Sequence, residues 1–155
     1  MWRALGRANV PAVKEPAGLL RSDGKRPDGL TQIPWQAGKC MTWDVTVTDT
    51  LAESYLLATS SSAGGAAEGA ANRKKLKYQS LSNTHTFIPL AFETFGPINS
   101  KGAVFFNQLG RRLADCTGDM RETAFLYQRL SLTIQRFNAI CFNGSFALNN
   151  ADHDS

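Results

Sequence analysis

Apolar and polar residues alternate strictly through residues 41–48: Met41, Trp43, Val45 and Val47 are interleaved with Thr42, Asp44, Thr46 and Thr48. A period of two is that of a strand, so Asp44 shares a face with Thr46, opposite Trp43 and Val45. Residues 30–35 (LTQIPW) have strand composition, and Gln36-Ala37-Gly38-Lys39 reads as the turn of a hairpin joining the two strands. Upstream, residues 2–9 predict a short helix halted by Pro11. The Gly, Pro and Asp density of residues 15–29 predicts tight turns, with at most one strand around Gly18-Leu19-Leu20.

Beyond the alternating strand the period changes. A helix is predicted to begin near Thr50, with Leu51, Tyr55 and Leu56, and to break around Ser60-Ser61-Ser62 and Gly64-Gly65. Ala66, Ala67, Ala70 and Ala71 lead into Arg73-Lys74-Lys75-Leu76-Lys77-Tyr78, a second helical segment whose C-terminal end is basic, where cations suit the helix dipole. Residues 87–92 (FIPLAF) form an apolar run of buried-strand length, and Pro89 requires an edge or a bulge because it has no N–H to give. In the last third, Val104, Phe105, Leu109, Leu113 and Cys116 keep helical spacing, as do Leu126, Leu130, Ile134, Phe137 and Cys141, predicting two amphipathic helices. Residues 149–155 (NNADHDS) lack an apolar anchor and are expected to be a disordered tail. This order predicts an α/β fold, a small central mixed sheet flanked by helices, with residues 1–148 as one domain.

Composition narrows the class. With 155 residues, 43% apolar and 19% charged, the chain can bury a core without disulfides or a structural metal. No apolar run approaches the roughly 18 residues of a membrane span, which excludes a transmembrane helix. Cys40, Cys116 and Cys141 are odd in number and widely spaced, arguing against a secreted disulfide framework and against zinc. Arg3, Arg7 and Lys14 precede the first acid, Glu15, without the apolar segment of a secretion signal, so an intracellular chain is expected. Seventeen Lys and Arg against thirteen Asp and Glu give a net charge of +4, which favours an anionic partner. The chain contains no GxSxG, no P-loop, no HExxH and no dinucleotide-binding glycine spacing.

The candidate chemistry is a pair of acids. Pro27-Asp28 sits just before the first hairpin strand and Asp44 lies inside the second, so pairing brings two carboxylates to one end of a sheet. Hard cations such as Mg²⁺ (or Mn²⁺) take one or two carboxylates with carbonyl, water and phosphate oxygens, a set that Asp28, Asp44 and the Val45 carbonyl could begin. In the pattern Pro-Asp, spacer, Asp/Glu-x-Lys, a lysine stands two residues after the second acid; here that position is Thr46. Lys74 and Lys77, three apart on one helix face, can reach the same point from the following helix. The same residues also suit a turn in which Asp28 bonds its own backbone, with Asp44 facing solvent. Arg26, Arg73 and Lys75 form the candidate phosphate-contacting surface, with Tyr78 either a stacking platform or core. His85, alone beside a buried strand, reads as hydrogen-bonded structure.

The runs GLLRSDGKRPDGLTQIPW, WDVTVTDTLAESYL, the alanine-rich helix ending in KKLKY, FIPLAFETFGPI and FLYQRLSLTIQRFNAICF occur in the order of a known module. Over residues 10–146 the chain resembles the restriction-like endonuclease domain of the PD-(D/E)XK type associated with non-LTR retrotransposon reverse transcriptases. The resemblance implies Mg²⁺-dependent nicking of DNA in the nucleus, alongside a reverse transcriptase domain of a parent polyprotein. By position, Asp28 matches the acid of the Pro-Asp motif and Asp44 the second acid. Lys77 with Tyr78 matches the Lys-Tyr of the helix to which the catalytic lysine has migrated, with Lys74 as the alternate lysine. The family's first helix, which often carries an acid, is expected to be truncated here, leaving Glu15 as the nearest substitute. A non-catalytic nucleic-acid-binding domain, or a retroelement remnant without activity, is the alternative.

Overall fold

The structure, a computed structural model, describes residues 1–19, 21–49 and 63–151, and for 145–151 the backbone alone. The predicted helix start at Thr50 therefore lies outside the described residues. An N-terminal helix, α1 (Trp2–Arg7), is followed by strands β1 (Ala12–Lys14), β2 (Gly29–Gln36) and β3 (Lys39–Thr48). Helix α2 (Gly65–Lys77) leads to β4 (Thr86–Glu93), and two long helices close the chain, α3 (Ser100–Thr117) and α4 (Glu122–Ala151). The fold is α/β: a four-stranded mixed sheet in the order β1-β2-β3-β4, flanked by helices.

The hairpin forms where the sequence predicts it. Ala37 and Gly38 have φ of 49° and 72°, the left-handed pair that a tight hairpin turn needs to match strand twist. β3 and β4 then pair in parallel, Met41 opposite Thr86 through Thr48 opposite Glu93, which requires a crossover, and α2 belongs to it. β4 is an edge strand, as Pro89 demands. On its outer side the Asn99 amide donates to the Pro89 carbonyl (3.0 Å) and accepts from the Ala91 N–H (2.9 Å), so the edge is covered by a side chain.

Each sheet face has its own layer. Met41, Trp43, Ile88, Leu90 and Phe92 pack with Leu5 of α1, Phe105, Phe106, Leu109 and Leu113 of α3, and Leu126 and Ile134 of α4. On the other face the small stripe Ala67, Ala70 and Ala71 lets α2 lie close on Ala91 of β4. Two carboxylates fasten this layer at helix N-termini, where unpaired N–H groups attract anions. Glu93 at the end of β4 accepts from the Ala67 N–H (3.1 Å), and Glu68 of α2 accepts from the N–H and hydroxyl of Ser100 at the start of α3.

Four expectations differ in detail. The early strand is β1, pairing Val13 with Leu30, whereas Ala17–Leu19 form a 3₁₀ turn. A three-residue edge strand is too short to show alternation. The buried stripe of α3 runs through Phe105, Phe106, Leu109, Gly110 and Leu113, while Val104 is 57% exposed and Cys116 faces out. Along α4 the buried positions among the described residues end at Ile134, and Phe137 and Cys141 are exposed, while Asn138 donates to the Thr94 carbonyl (2.6 Å) just past β4. α4 also continues through residues 149–151 of the expected tail, and residues 152–155 lie outside the described ones.

Candidate active site

Asp28 stands where the chain enters β2. Its N–H donates to the Trp43 carbonyl (2.9 Å) and its carbonyl accepts from the Glu15 N–H (2.9 Å), so its backbone is fixed between β1 and β3. Gly29 makes this approach possible: a β-carbon there would come within 2.0 Å of the Trp43 ring. The Asp28 carboxylate accepts from the Val45 N–H at 2.6 Å, across to β3 and not back to its own turn. Along a strand, the N–H and C=O of one residue point to the same side, so the Val45 carbonyl also faces the Asp28 side of β3.

Asp44, next to Val45, projects from the face covered by α2 and is only 4% exposed. The last turn of α2 brings Lys74 to it, with Nζ 2.5 Å from Oδ2. The Lys74 ammonium lies directly against that oxygen, and among the described residues no other donor reaches it. Burial pushes the Asp44 carboxyl above its ordinary range; Lys74 draws it back, the Asp28 charge raises it again, and Lys77 lowers it from farther off. The structure thus brings Asp28, Asp44, Val45 and Lys74 together at one end of the sheet.

The remaining sequence candidates divide. Lys77 turns its ammonium over the Tyr78 ring, 4.6 Å from the centroid, leaving Lys74 as the lysine in contact with the acid. Tyr78 is 1% exposed, with its ring against Phe87 (4.9 Å between centroids) and its hydroxyl donating to the Arg26 carbonyl (2.9 Å). A side chain so enclosed offers no face for stacking; it ties α2 to the loop that delivers Asp28. Its hydroxyl is held above the ordinary tyrosine value by burial and then by Asp44. Arg26 pairs with Glu15 at 2.9 Å, so the carboxylate of Glu15 is turned to a cation and away from the acid pair. Arg73 and Lys75 lie on exposed parts of α2, and His85 shares a 2.7 Å contact with the Thr84 hydroxyl. Thr46, where the pattern expects lysine, is half-buried on the Asp44 face.

Sequence reading missed two polar groups in this layer. The Thr42 hydroxyl, one strand period before Asp44, and Nη1 of Arg21, whose guanidinium lies 5.6 Å from the Tyr78 ring centroid, are both buried without a partner among the described residues. The alternation of β3 places Thr42 on the Asp44 face; for Arg21, inside a turn-rich stretch, no sequence signal existed.

A divalent ion needs more than proximity. No group of three or more His, Cys, Asp or Glu is present among the described residues, so the donor set is the two carboxylates and the Val45 carbonyl. A buried Asp44 carboxylate beside a second carboxylate that raises it is the kind of donor a hard cation keeping most of its water would take, in place of the Lys74 ammonium that now meets it. No protein-family model and no curated protein matches the chain. Among the described residues no helix is long and apolar enough to cross a membrane.

Proposed function

We propose that this chain is a restriction-like endonuclease domain of the PD-(D/E)XK type, of retroelement origin, that nicks DNA in a Mg²⁺- or Mn²⁺-dependent reaction. The observation that carries the reading is the meeting of Asp28 and Asp44 at one sheet end with the Lys74 ammonium 2.5 Å from Asp44. Asp28, Asp44 and the Val45 carbonyl would hold the cation, which when bound supplies Lewis-acid polarisation of the scissile phosphate. Asp28 is kept in place by the Val45 N–H, and Asp44 by burial under α2. Lys74, whose side chain is partly exposed, would be the donor to the attacking water or to charge building on the phosphate oxygens. The implied partners are DNA and, on a parent polyprotein, a reverse transcriptase domain, with action in the nucleus.

The test is nicking of supercoiled plasmid by the purified chain in Mg²⁺ and Mn²⁺, with EDTA and Asp44→Asn as controls. Nicking lost with both controls supports the reading; nicking that survives Asp44→Asn, or an intact plasmid with folded protein, overturns it. A second reading, a non-catalytic nucleic-acid-binding domain, is favoured by the same ion pair, because Lys74 already neutralises the acid that a cation would need. Salt-dependent DNA affinity without nicking selects it.

A further inference from the structure

A cleft lies on the other flank of α2 from the acid pair. Its volume is about 610 Å³, and Lys39 at the start of β3, Lys75 of α2, Lys101 of α3 and His85 before β4 line it over a floor of Tyr78 and Phe87. Among the described residues no carboxylate lines it, and neither Lys75 nor Lys101 is paired with an acid. Lys39 gives one ammonium hydrogen to the Ser82 carbonyl (3.1 Å), which fixes its head at the rim with donors to spare. We propose that this cleft is a second anion site that grips the sugar-phosphate backbone of a nucleic acid away from the point of cleavage; the proposal rests on the nuclease reading only for what lies at the other end.

Three ammonium groups around one concavity, supplied by three separate elements, are not a solvated helix face. Burial, and then Lys75 across the cleft, hold the Lys101 ammonium below its ordinary value, a cost that an incoming anion relieves. A recessed site suits a chain of phosphates, which can enter, better than a flat lipid surface, which cannot. The route towards the acids is also marked. Leu76, 72% exposed, forms the lip between this cleft and a smaller one of about 410 Å³ lined by Arg21 and Lys77, the lysine whose charge is felt at Asp44. A strand crossing Leu76 meets cations on both sides and an apolar edge for a base between them.

The experiment measures binding of a short DNA duplex to the full chain by fluorescence anisotropy across salt concentrations. Removing the lysines together (Lys39→Gln, Lys75→Gln, Lys101→Gln) is expected to lower affinity at least tenfold and to reduce the slope of log affinity against log salt by about 2 to 3, near 0.9 per lost phosphate contact. The charge-matched removal of Arg3, Arg111 and Arg136 is expected to leave the slope nearly unchanged, and the Lys→Arg version of the cleft triple to retain it. Equal losses from the two triple variants, no DNA binding by the wild type, or binding only to phosphatidylserine vesicles would each overturn the proposal. The nuclease reading fails separately: a wild-type chain that never nicks, yet loses DNA through the cleft triple alone, keeps the cleft and discards the catalysis. A nicking wild type whose cleft triple binds and nicks normally does the reverse.

Discussion

Replacing Lys74 with methionine keeps the length of the side chain and deletes its charge, which tests the electrostatics of the acid pair directly. Asp44 would then be a buried carboxylate beside Asp28 with no cation in contact. Two unit charges about 4 Å apart at an effective dielectric near 20 interact by about 4 kcal/mol. The Lys74 side chain is 26% exposed, so water already screens part of that, and the expected cost at neutral pH is about 1 to 3 kcal/mol. For a chain of this size the melting temperature falls by roughly 2 to 12 °C. The sign of the pH dependence follows from the Asp44 carboxyl, which sits above its ordinary range and rises further when Lys74 is lost. A raised carboxyl binds its proton more tightly in the folded than in the unfolded state, so the penalty is full above the raised value and fades as pH falls through it towards the ordinary range. Lys74→Met should therefore approach wild-type stability on acidification. In an Asp44→Asn background the same substitution should cost little at any pH, giving a coupling of about 1 to 3 kcal/mol in a double-mutant cycle read by urea denaturation. Equal costs in both backgrounds, or a cost that ignores pH, would refute an ion pair with Asp44 as the function of this lysine.

Gly29→Ala forces a β-carbon to within 2.0 Å of the Trp43 ring and should destabilise by about 3 kcal/mol in urea denaturation; a loss under 0.5 would show that the hairpin end yields freely. Tyr78→Phe removes the bond to the Arg26 carbonyl and should cost about 1 to 2 kcal/mol in urea denaturation; on the proposed nuclease reading the looser Asp28 loop would also slow nicking. Asn99→Ala leaves the Pro89 carbonyl and the Ala91 N–H unpaired at the β4 edge and should cost about 2 to 4 kcal/mol by thermal or chemical denaturation.

The parts of this fold that the sequence made legible are those where one residue pattern admits one geometry. Strict alternation fixed the faces of β3, the Ala37-Gly38 pair fixed the hairpin, and Pro89 marked an edge strand. What escaped depends on tertiary fit. Val104 and Phe106 both suit a helical stripe, and only the position of the sheet decides that Phe106 is buried and Val104 is not. Phe137 and Cys141 continue a helical period that is buried only as far as Ile134, and a period in the sequence does not say where burial stops. In the candidate site, both acids and the pair of competing lysines were visible; which lysine reaches Asp44 was not, because Lys74 and Lys77 share a helix face and differ by one turn. Tyr78, midway between a stacking residue and a core residue by composition, is resolved by one hydrogen bond to the Arg26 carbonyl.

The setting of Asp44 differs from that of the carboxylates that hold helix ends. Its neighbours on the same face of β3 are Thr42, Thr46 and Thr48, uncharged residues of similar size, and Thr48 satisfies its hydroxyl on the Phe92 carbonyl (3.2 Å). A fourth threonine, or an asparagine, would fill the position without the desolvation that lifts the Asp44 carboxyl and without needing Lys74. The carboxylates that do serve the fold have a different signature: Glu93 and Glu68 spend their oxygens on helix N-termini, and Glu122 on Arg7 at 2.5 Å. Asp44 instead meets a single lysine ammonium, with the charge of a second acid nearby raising its carboxyl. Its burial is therefore balanced chiefly by one cation, and on the proposed reading that is the place a divalent ion would take.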